Sequence, residues 1–303
     1  LFPLRGMDVT ACGRAIADAV SLESPALMAA PAGTGICIAG FGGAAGRTSV
    51  ARELARALAV VDGSARVLLA DADVYSPGLA QVLGVASRDL GLLAACRAVE
   101  SDGAALCGDA ALPVSERVDL LPGLGRASRW GDVRRAQLDA VWQQARATYS
   151  LLVADAGPVL EADAAGRAAA AHSLVAACDA VVLCCRADTI GVGRLVRGYA
   201  ECEALLADKH ITVVAVAAAG RREQREVDQT VLRLTGLQSV LHIPARREAF
   251  ARAERKGTFA ALVDKETAKA FDGLARQVLP SRVLAPRAVS TRAIEDYLRP
   301  RAA

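Results

Sequence analysis

Gly40-Phe41-Gly42-Gly43-Ala44-Ala45-Gly46-Arg47-Thr48-Ser49 follows a short apolar run, Ile36–Ala39, and opens a segment, Val50–Val61, whose apolar residues recur at helical spacing. Strand, glycine-rich turn and helix, in that order, make a phosphate site. Glycine lets the backbone approach the phosphates, and the helix N-terminus offers unbonded N–H groups and the positive end of a dipole. Such a loop ordinarily places Lys after its last glycine, and this chain has Arg47. Two other readings fit the same letters. One is a plain tight turn, with Thr48-Ser49 starting a helix. The other is Gly40-x-Gly42-x-x-Ala45 as a dinucleotide fingerprint, with Asp71 at the end of the second strand binding a ribose in an NAD(P)-dependent oxidoreductase.

Outward from the loop, apolar runs alternate with helical periods. The strand expectations are Ile36–Ala39, Arg66–Ala70, Val118–Leu121, Leu151–Ala154, Ala180–Cys185, Ile211–Val216 and Ser239–Ile243. Helical segments are expected at 48–61, 132–147, 164–176, 191–207, 224–235, 246–256 and 266–278. Continuous apolar strands alternating with helices imply an α/β fold, a doubly wound and mostly parallel sheet with helices on both faces. One domain is expected over 34–280, after a lead-in at 1–33 and before a basic tail at 281–303. Within the tail, Ser290–Leu298 has only Ile294, Tyr297 and Leu298 as a short apolar stripe, interrupted by Glu295 and Asp296. A membrane-docking helix wants a larger apolar face, so a packed or disordered tail is the expectation and membrane association has little support.

In sheets of this kind ligands sit at the carboxyl ends of the strands. Asp71-Ala72-Asp73 follows the second strand and Asp155-Ala156-Gly157-Pro158 follows the Leu151–Ala154 strand. A nucleoside triphosphate site needs a backbone cradle, a cation, and carboxylates that hold Mg²⁺ or orient the attacking water. Gly43, Ala44, Ala45 and Gly46 would be the cradle, with Ser49 completing the stretch. Arg47 would be the cation. Thr48 would be a hydroxyl ligand of Mg²⁺, Asp155 would hold the metal's water shell, and Asp73 would polarise the water. Asp71 would either brace the loop or join the metal site. The implied cofactors are ATP or ADP and Mg²⁺. The strict spacing GxxxxGK[ST] is not met, because Phe41 stands five residues before Gly46 and Arg replaces Lys.

Composition narrows the classes. The net charge of +3 is too small to argue for nucleic acid. Of the 36 basic residues only Lys209, Lys256, Lys265 and Lys269 are lysines, which reads as coding bias rather than a selected arginine surface. The eight cysteines are scattered without a CxxC pair, several in apolar runs, so buried free thiols in a reducing cytoplasm are expected. Neither a signal peptide nor an apolar run of membrane-spanning length is apparent. His172, His210 and His242 sit apart from any cysteine cluster and are assigned no catalysis, and Trp130 is read as packing.

Taken together, the glycine loop, "LLADADVYSPGLAQVLGV" and "YSLLVADAGP" resemble the ParA/MinD group of P-loop ATPases over about residues 34–280. "GLLAACRA", "LLPGLGRASRW" and "LHIPARREAFARAERKGTFAAL" are most similar to its CpaE/TadZ-like branch, including actinobacterial CpaE-like and septum-site-determining proteins. The resemblance implies a nucleotide-governed homodimer whose partners belong to pilus, secretion or division machinery, and it places Pro244 in a loop bordering the base. Gly43, Gly46, Thr48, Asp73 and Asp155 match the family's pattern. The family's signature Lys falls on Gly42, its second glycine on Ala44 and its loop Lys on Arg47. Its adenine-reading Asn is lost within Ala217-Ala218-Ala219-Gly220. The resemblance therefore implies a degenerate loop, with ATP turnover weak or absent.

Overall fold

Strand β1 (Thr34–Gly40) lies inside an eight-stranded sheet of order β3-β4-β2-β5-β1-β6-β7-β8. The other strands are β2 (Val67–Asp71), β3 (Leu112–Pro113), β4 (Val118–Leu121), β5 (Leu151–Asp155), β6 (Ala180–Arg186), β7 (His210–Val216) and β8 (Val240–Ile243). All pairings are parallel except that of edge strand β3 with β4. The computed structural model describes residues 32–43, 45–86, 91–101, 110–157, 166–218 and 220–279. Residues 1–31 of the expected lead-in and all of the expected tail lie outside the described residues.

The seven expected strands are present with no end moved by more than two residues, Val118–Leu121 unchanged, and β3 is an addition. Helices α1 (Arg47–Val61), α2 (Leu79–Val82), α3 (Leu92–Ser101), α4 (Arg135–Thr148), α5 (Ala168–Ala177), α6 (Thr189–Leu206), α7 (Arg221–Thr235), α8 (Arg247–Arg255) and α9 (Lys265–Val278) cover both faces. Alternation along each strand sorts the side chains between two cores. Ile36 and Ile38 pack with Leu54 and Leu58 of α1 and Phe271 and Leu274 of α9. Cys37 and Ala39 point the other way, into a core shared with Trp142 of α4, Leu174 of α5 and Leu195 of α6.

Local chemistry fixes the helix ends. Asp188 caps α6 by accepting from the Gly191 N–H at 2.7 Å, and Asp264 caps α9 by accepting from the Thr267 N–H at 2.9 Å. Gly236, at φ 73°, ends α7 in the left-handed conformation that glycine adopts without steric penalty. The six described cysteines are buried and form no disulfide with one another, and desolvation pushes the Cys178 thiol up to about 12. No described helix is long and apolar enough to cross a membrane.

The sheet order places the site. β1 is flanked by β5 and β6 although β2 follows it in sequence. The chain therefore reverses its winding at β1, and the carboxyl ends beside that reversal are where open α/β sheets bind ligands.

Candidate functional site

At the carboxyl end of β1 the chain turns through the glycine loop into α1. Gly46, at φ 74°, occupies the N-cap position without a side-chain cap, so the first amides of α1 are left facing the loop. Gly43 has open space around its Cα. Ala45 is buried, while Ala44 lies outside the described residues.

Arg47 is only 9% exposed. It is not the solvated helix residue that its charge would suggest. Its Nη1 donates to the carbonyl of Gly42, and its side chain crosses Gly40, where a Cβ would come within 3.3 Å of that nitrogen. Its Nε is buried and finds no hydrogen-bond partner among the described residues. A buried, incompletely bonded cation over a glycine loop suits an anionic ligand.

Thr48 faces the sheet. Its hydroxyl donates to Asp155 Oδ2 at 2.7 Å, and Asp155 Oδ1 accepts from the Gly157 N–H at 3.1 Å. The loop hydroxyl and the β5 carboxylate thus meet at one place. Burial pushes the Asp155 carboxyl up, and the Thr48 hydroxyl, the Gly157 amide and Arg47 act against that. Among the described residues no three His, Cys, Asp or Glu side chains form a metal cluster. Mg²⁺ keeps several waters and takes phosphate oxygens with one or two carboxylates, so Thr48 and Asp155 are the described side chains that could hold it here.

Asp71 takes the bracing role. Its Oδ2 accepts from the Gly78 and Leu79 amides at 2.8 and 2.9 Å, and its Oδ1 from the Asp73 amide at 3.3 Å, tying the end of β2 to the start of α2. It sits opposite Asp155 in the β2–β5 register. Burial first, and Asp155 second, raise its carboxyl to about 7. Asp73 is buried too, and its Oδ1 accepts from the Tyr75 and Ser76 amides at 2.7 and 2.8 Å. Gly157, at φ 83°, lets this turn approach β5, since a Cβ there would come within 2.7 Å of the Asp73 carboxylate. The two aspartates shape the Asp73–Gly78 loop and present it beside Asp155.

The dinucleotide reading fails on topology. In that fold the second strand pairs with the first, but β5 lies between β1 and β2 here. The carboxylate beside the glycine loop is Asp155, and Asp71 is buried under its own loop.

A separate cavity of about 200 Å³ is lined by Gly46, Ser49, Arg186, Ala217, Pro244 and Phe250. Ser49 and Pro244 are thus brought together beyond the loop. Ala217, at φ 69°, is the one described non-glycine residue with positive φ. Asn tolerates that conformation better than Ala, so the strand end keeps a backbone shape for which its side chain is not suited. His242, assigned no catalysis from sequence, shares a hydrogen bond with Asp228 at 2.7 Å.

Sequence reasoning missed the seating of Phe41 on α6. A Cβ at Gly198 would overlap the Phe41 ring, so only glycine admits it. Gly198→Ala is expected to lower stability by about 1–3 kcal/mol by displacing Phe41. An unchanged urea midpoint would show that the ring is not seated there.

No sequence-family model matches this chain, and no curated protein resembles it in sequence. Solved structures match it in fold. A ParA family ATPase from Chlorobium tepidum TLS superposes with a TM-score of 0.70 at 15% identity, over 81% of this chain and 99% of that one. The septum site-determining protein MinD of Pyrococcus horikoshii OT3, complexed with Mg-ADP, gives 0.66 at 19% identity over 84% and 99%. MinD in the MinC:MinD cell division complex of Aquifex aeolicus gives 0.64 at 16% identity over 82% and 97%. The fold is that of the ParA/MinD P-loop NTPases.

Proposed function

We propose that this chain is a ParA/MinD-like positioning ATPase or pseudo-ATPase, a nucleotide-governed dimeric switch. The observation that supports this most directly is the Thr48–Asp155 hydrogen bond beneath a glycine loop that holds a buried, incompletely bonded Arg47. The loop amides and Arg47 would bind the phosphates, while Thr48 and Asp155 would hold Mg²⁺. The metal, when bound, would neutralise phosphate charge. Asp73 and the loop it shapes, next to Asp155, would form the surface that changes with nucleotide and is read by partners. The resemblance of the CpaE/TadZ-like segments points to pilus, secretion or septum-site machinery for those partners, and to a location in the cytoplasm or at the membrane or pole through them. The Mg-ADP complex of the Pyrococcus protein and the ATP complex of a Cyanothece McdA variant support nucleotide as the ligand. The MinC:MinD complex supports partner binding by this fold.

A nucleotide-independent scaffold is the second reading, favoured by Gly42 in place of a cation and by Ala217 in place of an amide. Calorimetry with Mg-ATP separates the two. The expected result is micromolar binding, weakened about tenfold to a hundredfold in Arg47→Ala by loss of a charged hydrogen bond. Asp155→Ala should diminish the dependence on Mg²⁺. Turnover is expected to be slow, since a missing trans-acting cation can matter by roughly 10³–10⁵ in rate. Absence of binding at millimolar Mg-ATP would establish the scaffold reading.

A further inference from the structure

Because Gly40 and Cys184 are partners in the β1–β6 register, the helix that follows β6 begins over the glycine loop. The Phe41 ring seated at Gly198 holds α6 there. Arg194 stands one turn before Gly198, on the same face of the helix. A Cβ built at Gly42 would come within 3.0 Å of Arg194 Cδ and 3.2 Å of its Nη1. Gly42, at φ 132°, has no side chain of its own to fill that place. The guanidinium from α6 fills it.

Loop and helix enclose a cleft of about 340 Å³, lined by Phe41, Gly42, Gly43, Arg186, Asp188 and Arg194 among others. Its two arginines differ in state. Arg186 is neutralised, its Nε 2.7 Å from Asp188 Oδ2. Asp188, the carboxylate lining the cleft, is also engaged by the Gly191 amide. Arg194 is exposed and makes no ion pair among the described residues. The loop is thus approached by two cations with unused donors, Arg47 from inside the turn and Arg194 from across the cleft. Planar guanidinium groups with several N–H donors suit phosphate oxygens, and two on one polyphosphate share its charge.

We propose that Arg194 is a second phosphate-binding cation of the glycine loop, supplied by α6 of the same chain at the place where Gly42 has no side chain, and that the cleft between loop and helix receives the polyphosphate. This rests on the nucleotide-binding reading above and adds to it the residue that completes the charge of the site.

The test is calorimetric titration of the full chain with Mg-ATP and with inorganic triphosphate, which lacks the base. Arg194→Ala is expected to weaken both by about tenfold, the loss of one charged hydrogen bond. Arg194→Lys should restore part of the loss, and Arg194→Glu should weaken binding further than Arg194→Ala. Arg222→Ala on α7 removes the same formal charge from a 94% exposed side chain, and should leave both affinities as they were. Equal weakening in Arg194→Ala and Arg222→Ala would mean long-range charge alone and would overturn the assignment. So would unchanged binding in Arg194→Ala, with the nucleotide reading left standing. Failure of the unaltered chain to bind either ligand would overturn both.

Discussion

Glu53→Ala is expected to lower the stability of this chain by about 3–5 kcal/mol, the range seen when one partner of a buried ion pair is removed. Arg52 and Glu53 are adjacent on α1 and both fully buried. Arg52 Nε donates to Glu53 Oε1 at 2.8 Å, and its guanidinium lies 5.5 Å from the centre of the Phe250 ring. Glu53 also accepts from two backbone amides more than 200 positions away, Ala260 at 2.8 Å and Ala261 at 3.0 Å. Those amides begin the short 3₁₀ turn Ala260–Leu262 between α8 and α9. The carboxylate therefore ties the helix that starts at the glycine loop to the segment after α8.

Truncating Glu53 leaves one cation and two N–H groups unpaired in a dry interior, and each loss acts in the same direction. Arg52 Nη1 and Nη2 already find no partner among the described residues, so the pair has no reserve of hydrogen bonds. Glu53→Gln keeps an acceptor for the amides and should cost less than Glu53→Ala. Arg52→Met combined with Glu53→Gln should recover much of the loss, because a flexible apolar chain can still cover Phe250. Urea midpoints of the three variants check the order. A loss below about 1 kcal/mol in Glu53→Ala would mean that water reaches the pair.

This pair also shows where sequence reading stops. Apolar runs such as Val67–Ala70 and Leu151–Ala154 announce themselves as strands, because both faces of a parallel sheet are buried and the letters are continuous. The glycine loop and the aspartates ending β2 and β5 are equally legible, since turn chemistry and strand-end acids are local patterns. Arg52 and Glu53 look like any charged helix pair. Only the arrival of Ala260 and Phe250 from distant sequence makes them buried. Arg194 is hidden for a related reason. Its meeting with Gly42 follows from β6 lying beside β1, a neighbour relation that no window of sequence contains. Strand β3 has two residues and α2 has four, too few to establish a period. Helix α3, Leu92–Ser101, is hard to read because its letters resemble an insert between strands. Asp71 is legible as either a brace or a metal-site residue, but the choice between the two is not legible, since it depends on where Gly78 and Leu79 return.

Asp71 is expected to make this protein less stable as the pH rises from about 4 to about 7, opposite to the usual behaviour of a salt-bridged carboxylate. Burial, then Asp155 across the strand pair, raise its carboxyl to about 7 from an ordinary 3.8. The folded state then holds the proton more tightly than the unfolded chain does. This contribution is fully present below the unfolded pKa and is lost as pH climbs through the folded one. The shift corresponds to about 4 kcal/mol across the window. Asp155, raised by burial, adds in the same sense. Asp264 and Asp188 are held low by Arg246 and Arg186, and act oppositely. Their stabilisation is lost as pH falls below the usual carboxylate range, outside the interval from 5 to 8. Urea midpoints should therefore be lower at pH 8 than at pH 5.5 in the unaltered chain, and the difference should shrink in Asp71→Asn. That variant keeps a carbonyl acceptor for the Gly78 and Leu79 amides but loses the one facing the Asp73 amide, so the diagnostic quantity is the slope with pH and not the absolute stability. A cation beside Asp155 would favour both carboxylates in their charged form. Mg²⁺ with nucleotide should consequently stabilise the protein more at pH 8 than at pH 5.5. An equal midpoint shift at the two pH values would separate the Asp71–Asp155 pair from the metal position. A stability that rises from pH 5.5 to 8 and is unaffected by Asp71→Asn would show both carboxylates already ionised and solvated, and the brace beneath the Asp73–Gly78 loop would then be polar and open rather than dry.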